Sequence, residues 1–419
     1  MPILFKDGCR AKPKGRILCV TSTFPRWTSD STTPFVLNLA KDLQKLGWKV
    51  DVLAPHAPGA FQTEILQGVS VERFRYFWPE TQQTVCYQGG ALVNLRTYKL
   101  NYLKLPSFIA FEWLNVFLKL VKGQYDLLHS HWILPQGFTG VLASRLLKIP
   151  HVTTVHGGDI FGLQGRLLEK FKQLTLNSVD AVTVNSSVTK EAVLKLTQNL
   201  DELHRIPMGV SEKKCKDGIK TEKIRKKYKK GAGPLLIFIG RLVEEKGVKD
   251  LILAVKLLKK QMPDVSCLII GEGQDRNIFE NMVKELGLLN RIFFPGWIEP
   301  GRIPEYLAAA DIFVGPSRQA QNGWVEAQGL TFIEAMMAKV PVIATRIGGI
   351  IDSVKHEETG LLVSERSPEE IAFSVHRLIN ETGLSDNLKK NGYKTAKTKF
   401  SRKASAMKFS QLFEKLIFP

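Results

Sequence analysis

Short apolar runs alternate with amphipathic helical stretches along this chain, and the alternation starts twice. Arg16 to Ser22 is the first apolar run, followed by a predicted helix from Phe35 to Leu46 and a predicted strand from Trp48 to Ala54. The pattern starts again at Pro234 to Gly240, after a basic stretch from Arg205 to Gly233 that we interpret as a linker. Apolar runs of this length are typical of parallel strands buried on both faces. The sequence therefore predicts an α/β protein with two Rossmann-like, doubly wound domains that face each other across a cleft.

Positive charge is the most unusual bulk property of the chain. Its 419 residues carry a formal net charge of +19 with a pI near 9.6, which predicts attraction to nucleic acid, anionic lipid or phosphorylated substrates. The densest basic run, Lys220 to Lys230, is a predicted helix, and a solvated surface is its ordinary interpretation. Five scattered cysteines without a CxxC pair indicate a reducing compartment and argue against a disulfide framework. No apolar segment near the start has the form of a signal peptide, so we expect a cytoplasmic protein.

One aromatic helix has two interpretations. Leu105 to Lys122 is amphipathic, with Lys119 and Lys122 at its end. Packing against a sheet is the favoured interpretation, and docking on an anionic membrane surface is the alternative that the positive charge supports. The stretch from Ser107 to Val121 is too short to span a bilayer and contains Glu112. The inner face of the cell membrane is therefore a second, peripheral location for the predicted cytoplasmic protein.

Two glutamates define the segment from Gln321 to Thr345. Glu326 and Glu334 are separated by seven residues, with Gly329 and Leu330 between them. A helix that begins near Gly329 places Glu326 in the preceding loop and Glu334 about one turn inside, close to N–H groups that bind phosphate. Each glutamate can then bind hydroxyl groups on one side of the bound phosphate groups. This arrangement suits a nucleotide joined to a sugar through a diphosphate. An ordinary α/β crossover with two solvated glutamates is the alternative that this segment alone favours.

Other candidate ligands of the second half lie at the carboxyl ends of predicted strands, where open α/β sheets bind their ligands. They are Arg241, Lys246, Gly271, Gly273, Trp297, Gly348 and Gly349. Two cations, several glycines and two carboxylates at one sheet edge suit a diphosphate together with the hydroxyl groups of a sugar. In the first half, the loop from Thr23 to Thr33 contains no glycine, so the GxGxxG fingerprint of dehydrogenases is absent there.

Histidines mark the predicted strand ends of the first half. The loop from His156 to Asp159 (HGGD) follows a predicted strand, and its glycines allow the backbone to approach a ligand closely. Tyr125 to His129 is another predicted strand, and His129 and His131 alternate at its end and are candidate metal ligands. Because no third ligand has a suitable spacing, we favour a structural or acceptor-side role for these histidines and predict no metal site.

These segments together resemble the retaining glycosyltransferases of family 4, which have the GT-B fold. The matching stretches are GRLVEEKG (Gly240 to Gly247), GEG (Gly271 to Gly273), the E-x7-E element of Glu326 and Glu334, VPVIATRIGGI (Val340 to Ile350), the HGGD loop and the TSTFPRW segment. The resemblance covers nearly the full chain from about Arg16. The chain departs from it between Thr23 and Thr33, where Ser31, Thr32 and Thr33 stand in a loop that contains glycines in many relatives.

The resemblance implies a division of roles between the domains. Residues 1–208, joined by a last helix at about residues 398–419, would form the acceptor domain, and residues 209–397 would bind the donor. The implied donor-binding residues are Arg241, Lys246, Gly271, Gly273, Trp297, Glu326, Gly329, Leu330 and Glu334. Arg241 and Lys246 would hold the diphosphate of a nucleotide-sugar. Glu334 would bind the ribose hydroxyls and Glu326 the hydroxyls of the donor sugar.

The resemblance also implies which residues are catalytic, namely Glu326, His156, Arg241 and Lys246. His156 would touch the donor sugar, while Asp159 would shape its loop and lie with His131 on the acceptor side. Cations that neutralise the departing nucleotide lower the barrier. Retention would follow from front-face attack through an oxocarbenium-like state, without a positioned nucleophile. No DxD-type carboxylate pair is present, so neither a metal nor a cofactor is expected beside the nucleotide-sugar.

The predicted function is transfer of a hexose from a UDP- or GDP-sugar to a glycan or a polyprenyl- or other lipid-linked acceptor. Such a reaction belongs to the synthesis of cell-envelope polysaccharide or glycolipid. A nucleotide-sugar epimerase of the same fold is one alternative, and it requires acid–base carboxylates around the sugar ring that the sequence does not identify. A non-catalytic polyanion-binding protein is the other, suggested by charge alone. No RNA-binding or zinc-finger motif supports a nucleic-acid partner.

Overall fold

The chain forms two compact α/β units. The first contains the residues up to Asn185, Thr189–Gly209 and the chain from Arg402, and the second contains Ser186–Val188 and Val210–Ser401. The computed structural model describes residues 13–30, 32–87, 89–197, 200, 202–212, 218–321 and 323–418, so that Ser31 of the glycine-free loop lies outside the described residues.

Strands and helices alternate through both units. Up to residue 205 the strands are β1 (Gly15–Val20), β2 (Trp48–Pro55), β3 (Thr63–Leu66), β4 (Val69–Phe74), β5 (Leu127–His131), β6 (His151–Val155), β7 (Ala181–Val184) and β8 (Leu203–Arg205). The helices of the same stretch are α1 (Pro34–Lys45), α2 (Ala91–Thr97), α3 (Leu105–Gly123), α4 (Phe138–Leu147), α5 (Gly158–Phe161), α6 (Arg166–Leu176) and α7 (Ser187–Leu196). The later strands are β9 (Leu235–Ile239), β10 (Ser266–Ile270), β11 (Ile292–Gly296), β12 (Ile312–Gly315), β13 (Val342–Thr345) and β14 (Leu361–Val363). The later helices are α8 (Gly218–Tyr228), α9 (Val248–Leu258), α10 (Arg276–Glu285), α11 (Ile303–Ala309), α12 (Leu330–Met337), α13 (Ile350–Ser353), α14 (Pro368–Asn380), α15 (Leu384–Lys399) and α16 (Arg402–Ile417).

The first sheet reverses its winding direction between β1 and β5. Its strand order is β3-β4-β2-β1-β5-β6-β7-β8. The described neighbours pair in parallel, apart from the antiparallel pair of β3 and β4. Ile17, Leu18 and Val20 in β1 are fully buried, as expected for a parallel strand with helices on both faces. The loops that follow β1 and β5 therefore meet at the point where such sheets bind ligands.

The second sheet has the strand order of a dinucleotide-binding fold. The order β11-β10-β9-β12-β13-β14 corresponds to 3-2-1-4-5-6 in chain order, and all described pairs are parallel. The winding reverses between β9 and β12. The loops after Ile239 and Gly315, which end these two strands, therefore lie at the point where such sheets bind ligands.

Helix α3 carries apolar side chains on two faces. The face toward the core contains Phe108, Glu112, Val116 and Leu120. The other face contains Phe111, Leu114, Leu118 and Val121, which are 38–53% exposed. One face therefore packs, as the favoured interpretation predicted, while the other leaves apolar side chains in solvent. None of the helices in the described ranges has the length and hydropathy that crossing a bilayer requires.

The last helix, α16, returns to the first unit. Phe413 is fully buried there, and its ring lies 6.0 Å from that of Trp48 and 5.3 Å from that of His129. Trp48 Nε1 donates a hydrogen bond to Ser410 Oγ at 2.9 Å. The guanidinium of Arg402 at the start of the helix is paired with Asp42. The helix thus completes the core of the unit that contains the start of the chain.

Two sequence predictions about strands were wrong in their bounds. The strand predicted from Tyr125 to His129 is β5, Leu127–His131, because Asp126 is held at its start by hydrogen bonds to the backbone of Arg16. His129 therefore lies inside the strand, and His131 ends it. The linker predicted from Arg205 begins later, since this residue ends β8, an edge strand paired with β7.

Candidate functional site

The switch point of the second sheet brings Lys246 and Glu326 together. Lys246 ends the 3-10 turn Glu244–Lys246 after β9, and Glu326 lies in the loop between β12 and α12. The Lys246 ammonium donates to Glu326 Oε2, and the two side chains are only 17% and 15% exposed. This ion pair joins the two strand ends between which open α/β sheets bind their ligands.

Glu326 is an ionised carboxylate in this environment. Burial raises its pKa, but the charge and hydrogen bond of Lys246, the N–H of Gly329 and the charge of Arg241 together outweigh burial and lower it. The Gly329 N–H donates to Glu326 Oε1 at 3.3 Å, so each carboxylate oxygen has a donor. An ionised carboxylate only accepts hydrogen bonds, which suits it to bind hydroxyl groups.

Helix α12 begins at Leu330, as the E-x7-E spacing predicted. Gly329 is its N-cap, with a left-handed φ of 71°. Glu326 therefore precedes the helix, and Glu334, which is half-buried, lies one turn inside it. The first N–H groups of an α-helix have no acceptor within the helix, and the positive end of the helix dipole favours an anion. The start of α12 can therefore bind a phosphate beside Glu326.

Two glycines after β13 hold the Glu326 loop in place. The Gly349 N–H donates to the carbonyl of Glu326 at 2.8 Å. A Cβ on Gly348 would lie 2.3 Å from that carbonyl oxygen, and a Cβ on Gly349 would lie 1.9 Å from the carbonyl oxygen of Ala327. Only glycine allows the backbone after β13 to approach the Glu326 loop so closely. Gly348 and Gly349 therefore fix the position of the loop that carries the Glu326 carboxylate.

The remaining predicted donor ligands lie at strand ends of the same sheet. Gly271 and Gly273 form the turn after β10, against the backbone of Gly240 and Leu242. Arg241 and Trp297 are more open, with the side chain of Arg241 55% exposed and Trp297 56% exposed. Their contacts with a nucleotide stay predictions.

Sequence analysis missed two features of this site. The Lys246 ammonium lies 5.2 Å from the centre of the Trp324 ring, a cation–π contact. Arg318, in the loop after β12, forms a buried ion pair with Asp250 of α9 at 2.7 Å. Trp324 was open to prediction, because it stands two residues before Glu326. The pair of Arg318 and Asp250 was not, because its partners are distant in sequence and share no motif.

In the first unit, His156 follows β6 and lies among aromatic rings. Its ring is nearly coplanar with that of His131, with centroids 5.1 Å apart, and lies 4.9 Å from Trp132 and 5.0 Å from Phe35. His156 Nε2 and His131 Nδ1 are 2.8 Å apart and share a hydrogen bond. Burial, with a smaller effect of His129, lowers the pKa of His156 to about 3, so the ring is neutral near pH 7.

The two strand histidines are structural in their surroundings. His131 is fully buried, and burial lowers its pKa well below the ordinary value. His129 Nε2 is 2.7 Å from Thr154 Oγ1. Among the residues that the structure describes, no group of three or more His, Cys, Asp or Glu side chains is arranged to hold a metal ion. We interpret His131 as a residue that orients His156, and its acceptor-side role stays a prediction.

Asp159 organises the HGGD loop. Its Oδ2 accepts from the Ile133 N–H at 2.9 Å, and its Oδ1 accepts from the N–H groups of Gly157 at 3.0 Å and His156 at 3.3 Å. Burial raises the pKa of Asp159, although these N–H groups and Lys172 oppose the shift. The carboxylate therefore ties the loop after β6 to the loop after β5. The acceptor-side role of Asp159 stays a prediction.

Polar side chains hold the glycine-free loop that follows β1. Asp30 accepts hydrogen bonds from Arg26 Nε at 2.7 Å and from the Thr32 N–H at 3.1 Å. Thr33, the residue before α1, has a left-handed φ of 43°, and its hydroxyl donates to Thr23 Oγ1 at 2.9 Å. This left-handed conformation is strained for a β-branched residue, whereas glycine adopts it without strain. The side-chain hydrogen bonds therefore stabilise a backbone conformation that would otherwise favour glycine.

An apolar cavity of about 470 Å³ lies beside the HGGD loop, with Trp132, Gly158 and Asp159 in its lining. A more polar cavity of about 600 Å³ lies elsewhere in the first unit, near Lys148 and Asp180, which precede β6 and β7. Ligand-binding loops of open α/β sheets follow the strands, so the apolar cavity is the one next to the chemistry.

Two family models match the chain. The model described as Glycosyltransferase Family 4 matches residues 33–214, and the model described as Glycosyl transferases group 1 matches residues 220–395. The first match falls mainly in the first unit, and the second falls in the second unit with the E-x7-E segment.

Two relatives support the same family, and one solved structure has the same fold. An uncharacterized glycosyltransferase of Methanocaldococcus jannaschii is 30% identical over 70% of this chain and 76% of its own length. A GDP-mannose-dependent alpha-(1-6)-phosphatidylinositol monomannoside mannosyltransferase of Mycobacterium tuberculosis is 30% identical over 57% of this chain and 61% of its own length. The crystal structure of Anabaena HepE in complex with UDP superposes with a TM-score of 0.75, at 20% identity, over 96% of this chain and 100% of HepE.

Proposed function

Because the chain belongs to the group 1 glycosyltransferases of family 4, we propose that it transfers a hexose from a UDP- or GDP-sugar to a glycan or lipid-linked acceptor. The family makes the chain a transferase of glycolipid or polysaccharide synthesis with the GT-B fold. The nucleotide, the acceptor and retention of the anomeric configuration are the proposed parts. HepE binds UDP and the mycobacterial relative uses GDP-mannose, so both nucleotides enter the test.

The observation that carries the proposal is the ion pair of Lys246 and Glu326 at the start of α12. The pair puts an ammonium next to N–H groups that attract phosphate and next to a carboxylate that accepts hydroxyl hydrogen bonds. In the proposed complex, Lys246 and Arg241 contact the diphosphate, Glu326 the donor sugar and Glu334 the ribose. An incoming diphosphate then competes with Glu326 for Lys246.

The chemistry follows from the departing group. A nucleoside diphosphate gains negative charge as the glycosidic bond breaks, and fixed cations beside it stabilise that charge in the transition state. A partly buried ammonium does this more strongly than one in water, because the local dielectric constant is lower. We assign no enzymic nucleophile, so the proposed route to retention is attack by the acceptor from the face that the nucleotide leaves. Metal independence is part of the same proposal.

The proposed acceptor is presented at a membrane. The exposed face of α3 continues a preceding 3-10 helix, Lys99–Lys104, in which Leu100 and Leu103 are 74% and 75% exposed. Exposed apolar patches of this kind mark interaction sites, and Lys99 and Lys122 add positive charge beside them. We name the surface formed by residues 98–103 and the outer face of α3 the apolar strip. Anionic lipid is the partner that matches both of its properties.

Product analysis with labelled donors tests the proposal. The protein is incubated with UDP-glucose, UDP-N-acetylglucosamine or GDP-mannose, each labelled in the sugar, together with extracted membrane lipids as the acceptor. We expect one donor to release its nucleotide and pass its label to an α-linked product, unchanged by EDTA. Glu326→Gln should lower this turnover roughly 10²- to 10³-fold, as expected for loss of one transition-state contact.

The matched control is Glu285→Gln, which neutralises an exposed glutamate of the same unit. Its turnover should equal that of the wild type. Recovery of the label as an altered nucleotide-sugar would establish an epimerase in place of a transferase. Binding of neither UDP nor GDP, measured as no rise in melting temperature, would remove the donor site.

A further inference from the structure

The cavity beside the HGGD loop is apolar along most of its wall. Phe108, Ile109, Leu134, Phe138 and Phe171 line it, in a volume of about 470 Å³. This volume falls within the range of about 300–1,000 Å³ that is typical of pockets for small ligands. A ligand that fills it must therefore offer an apolar body.

Asp159, Thr33 and Thr23 in the wall already have hydrogen-bond partners within the protein. The carboxylate of Asp159 accepts three backbone N–H groups, and the hydroxyl of Thr33 donates to that of Thr23. Replacing such bonds with bonds to a polar ligand gains little, because each new hydrogen bond costs an existing one. The cavity therefore favours hydrocarbon over a second sugar or a nucleotide.

The position of the cavity relates it to the reaction. Ser22 and Thr23 follow β1, Trp132 follows β5, and Gly158 follows β6, and all four residues line the cavity. One end thus reaches the switch point of the first sheet, next to His156. The reactive end of a molecule held in the cavity would emerge at this edge.

Helix α3 connects the cavity with the apolar strip. Leu105, Phe108 and Ile109 line the cavity, and Phe111 and Leu114 on the next turns belong to the exposed face. Ile109 is itself 37% exposed, so it belongs both to the wall and to the surface. The cavity therefore reaches the surface at Ile109, on the helix whose opposite face carries the apolar strip.

We propose that this cavity binds the hydrocarbon chain of a lipid acceptor, which enters along α3 and presents its head group at the HGGD loop. This proposal rests on the proposed function, in which the bound lipid receives the transferred sugar. Two observations carry it: the cavity has an apolar wall in which Asp159 and Thr33 are already hydrogen-bonded within the protein, and it reaches the surface at Ile109, on the helix that also carries the apolar strip and its lysines.

Binding of n-alkyl β-glucosides of increasing chain length tests the proposal. Hexyl to dodecyl glucosides are titrated calorimetrically below their micellar concentrations, with the full chain and no membrane present. Each methylene moved from water into an apolar site tightens binding about fourfold. We expect the dissociation constant to fall by about that factor per methylene until the cavity is filled, and then to level off.

Two matched substitutions on α3 locate the chain. Ile109→Trp fills the cavity and should weaken dodecyl glucoside binding at least tenfold, whereas Leu114→Trp, equally exposed but outside the lining, should not. Ala91→Phe, from α2, fills the same cavity from another wall and replaces Ile109→Trp if that variant does not fold. Dissociation constants independent of chain length, or weakening by Leu114→Trp alone, would overturn the proposal.

A parallel titration with UDP and GDP separates this proposal from the proposed function. Nucleotide binding without alkyl glucoside binding refutes the cavity assignment and leaves the transferase standing. Alkyl glucoside binding without nucleotide binding overturns the assignment of the cavity to an acceptor. Binding of both, with the effect of Ile109→Trp confined to the glucosides, supports the proposal.

Discussion

At the scale of single residues, the charge of Lys246 governs the state of Glu326. Lys246→Met keeps the length of the side chain and removes the charge that lowers the pKa of Glu326. Since burial raises this pKa, the pKa of Glu326 should be higher in the variant than in the wild type. We expect kcat/KM for the donor to fall roughly 10²- to 10³-fold. The acid limb of its pH profile should move to higher pH, because Glu326 then takes up a proton more readily. Kinetics as a function of pH measure both effects.

Lys249→Met is the control, since Lys249 is an exposed lysine three residues away. It should leave both the rate and the acid limb unchanged. The same shift makes the stability of the fold depend on pH. Because the pKa of Glu326 is lower in the folded protein than in the unfolded chain, Glu326 stabilises the fold at pH values above its unfolded pKa. This stabilisation is lost as the pH falls through the folded pKa. A Lys246→Met variant with the wild-type acid limb would show that Glu326 titrates independently of this pair.

The sequence predicted parts of this site and missed others for a physical reason. The loop position of Glu326 and the start of α12 followed from the spacing to Glu334 and from Gly329, because these are local features. The direct contact of Lys246 with Glu326 was not predictable beyond a shared sheet edge, since it depends on how two loops pack. The burial of His131 at the end of β5 fits the structural role that the sequence left open beside an acceptor-side role, although the strand begins two residues later than predicted.

At the scale of elements, α16 is the part of the chain whose core contacts are most separated in sequence. Phe413→Ala leaves a cavity between Trp48 and His129 and should lower the free energy of unfolding by about 3–5 kcal/mol. Phe418→Ala is the control, because Phe418 is 63% exposed and its loss should be within about 0.5 kcal/mol. Thermal and denaturant unfolding measure the difference. Equal losses in the two variants would mean that α16 does not support the core.

The same scale shows which elements a sequence predicts. The strands near Arg16 and Trp48 and the helix at Phe35 were predicted within two residues, because their apolar pattern is long and uninterrupted. The antiparallel β3 and the edge strand β8 were missed, being only four and three residues long with polar side chains. Short edge strands form because a neighbouring strand offers hydrogen bonds, which a local pattern does not encode.

At the scale of the whole molecule, the net charge of +19 has both a structural and a surface use. In the basic run predicted as a solvated helix, Arg225 and Lys229 form ion pairs with Asp311. Burial raises the pKa of Asp311, but the Leu235 N–H and the two cations outweigh burial and lower it. Part of the charge therefore fastens α8 to the second unit. Lys99, whose ammonium lies 5.9 Å from the centre of the Tyr102 ring, and Lys122 flank the apolar strip instead, and both are exposed to an anionic surface.

Vesicle binding tests whether the apolar strip and the charge act together. The protein should bind vesicles of phosphatidylglycerol and phosphatidylcholine more tightly than vesicles of phosphatidylcholine alone, and salt should reduce the difference because it screens exposed charges. Replacing Leu100 and Leu103 together by serine should weaken binding at least about tenfold, since each leucine loses up to about 2 kcal/mol of apolar burial. Leu289→Ser, an exposed leucine of the second unit, should have no effect. Co-sedimentation measures binding of the wild type and both variants. Binding that does not depend on lipid charge, or that survives the double substitution, would place the membrane contact elsewhere.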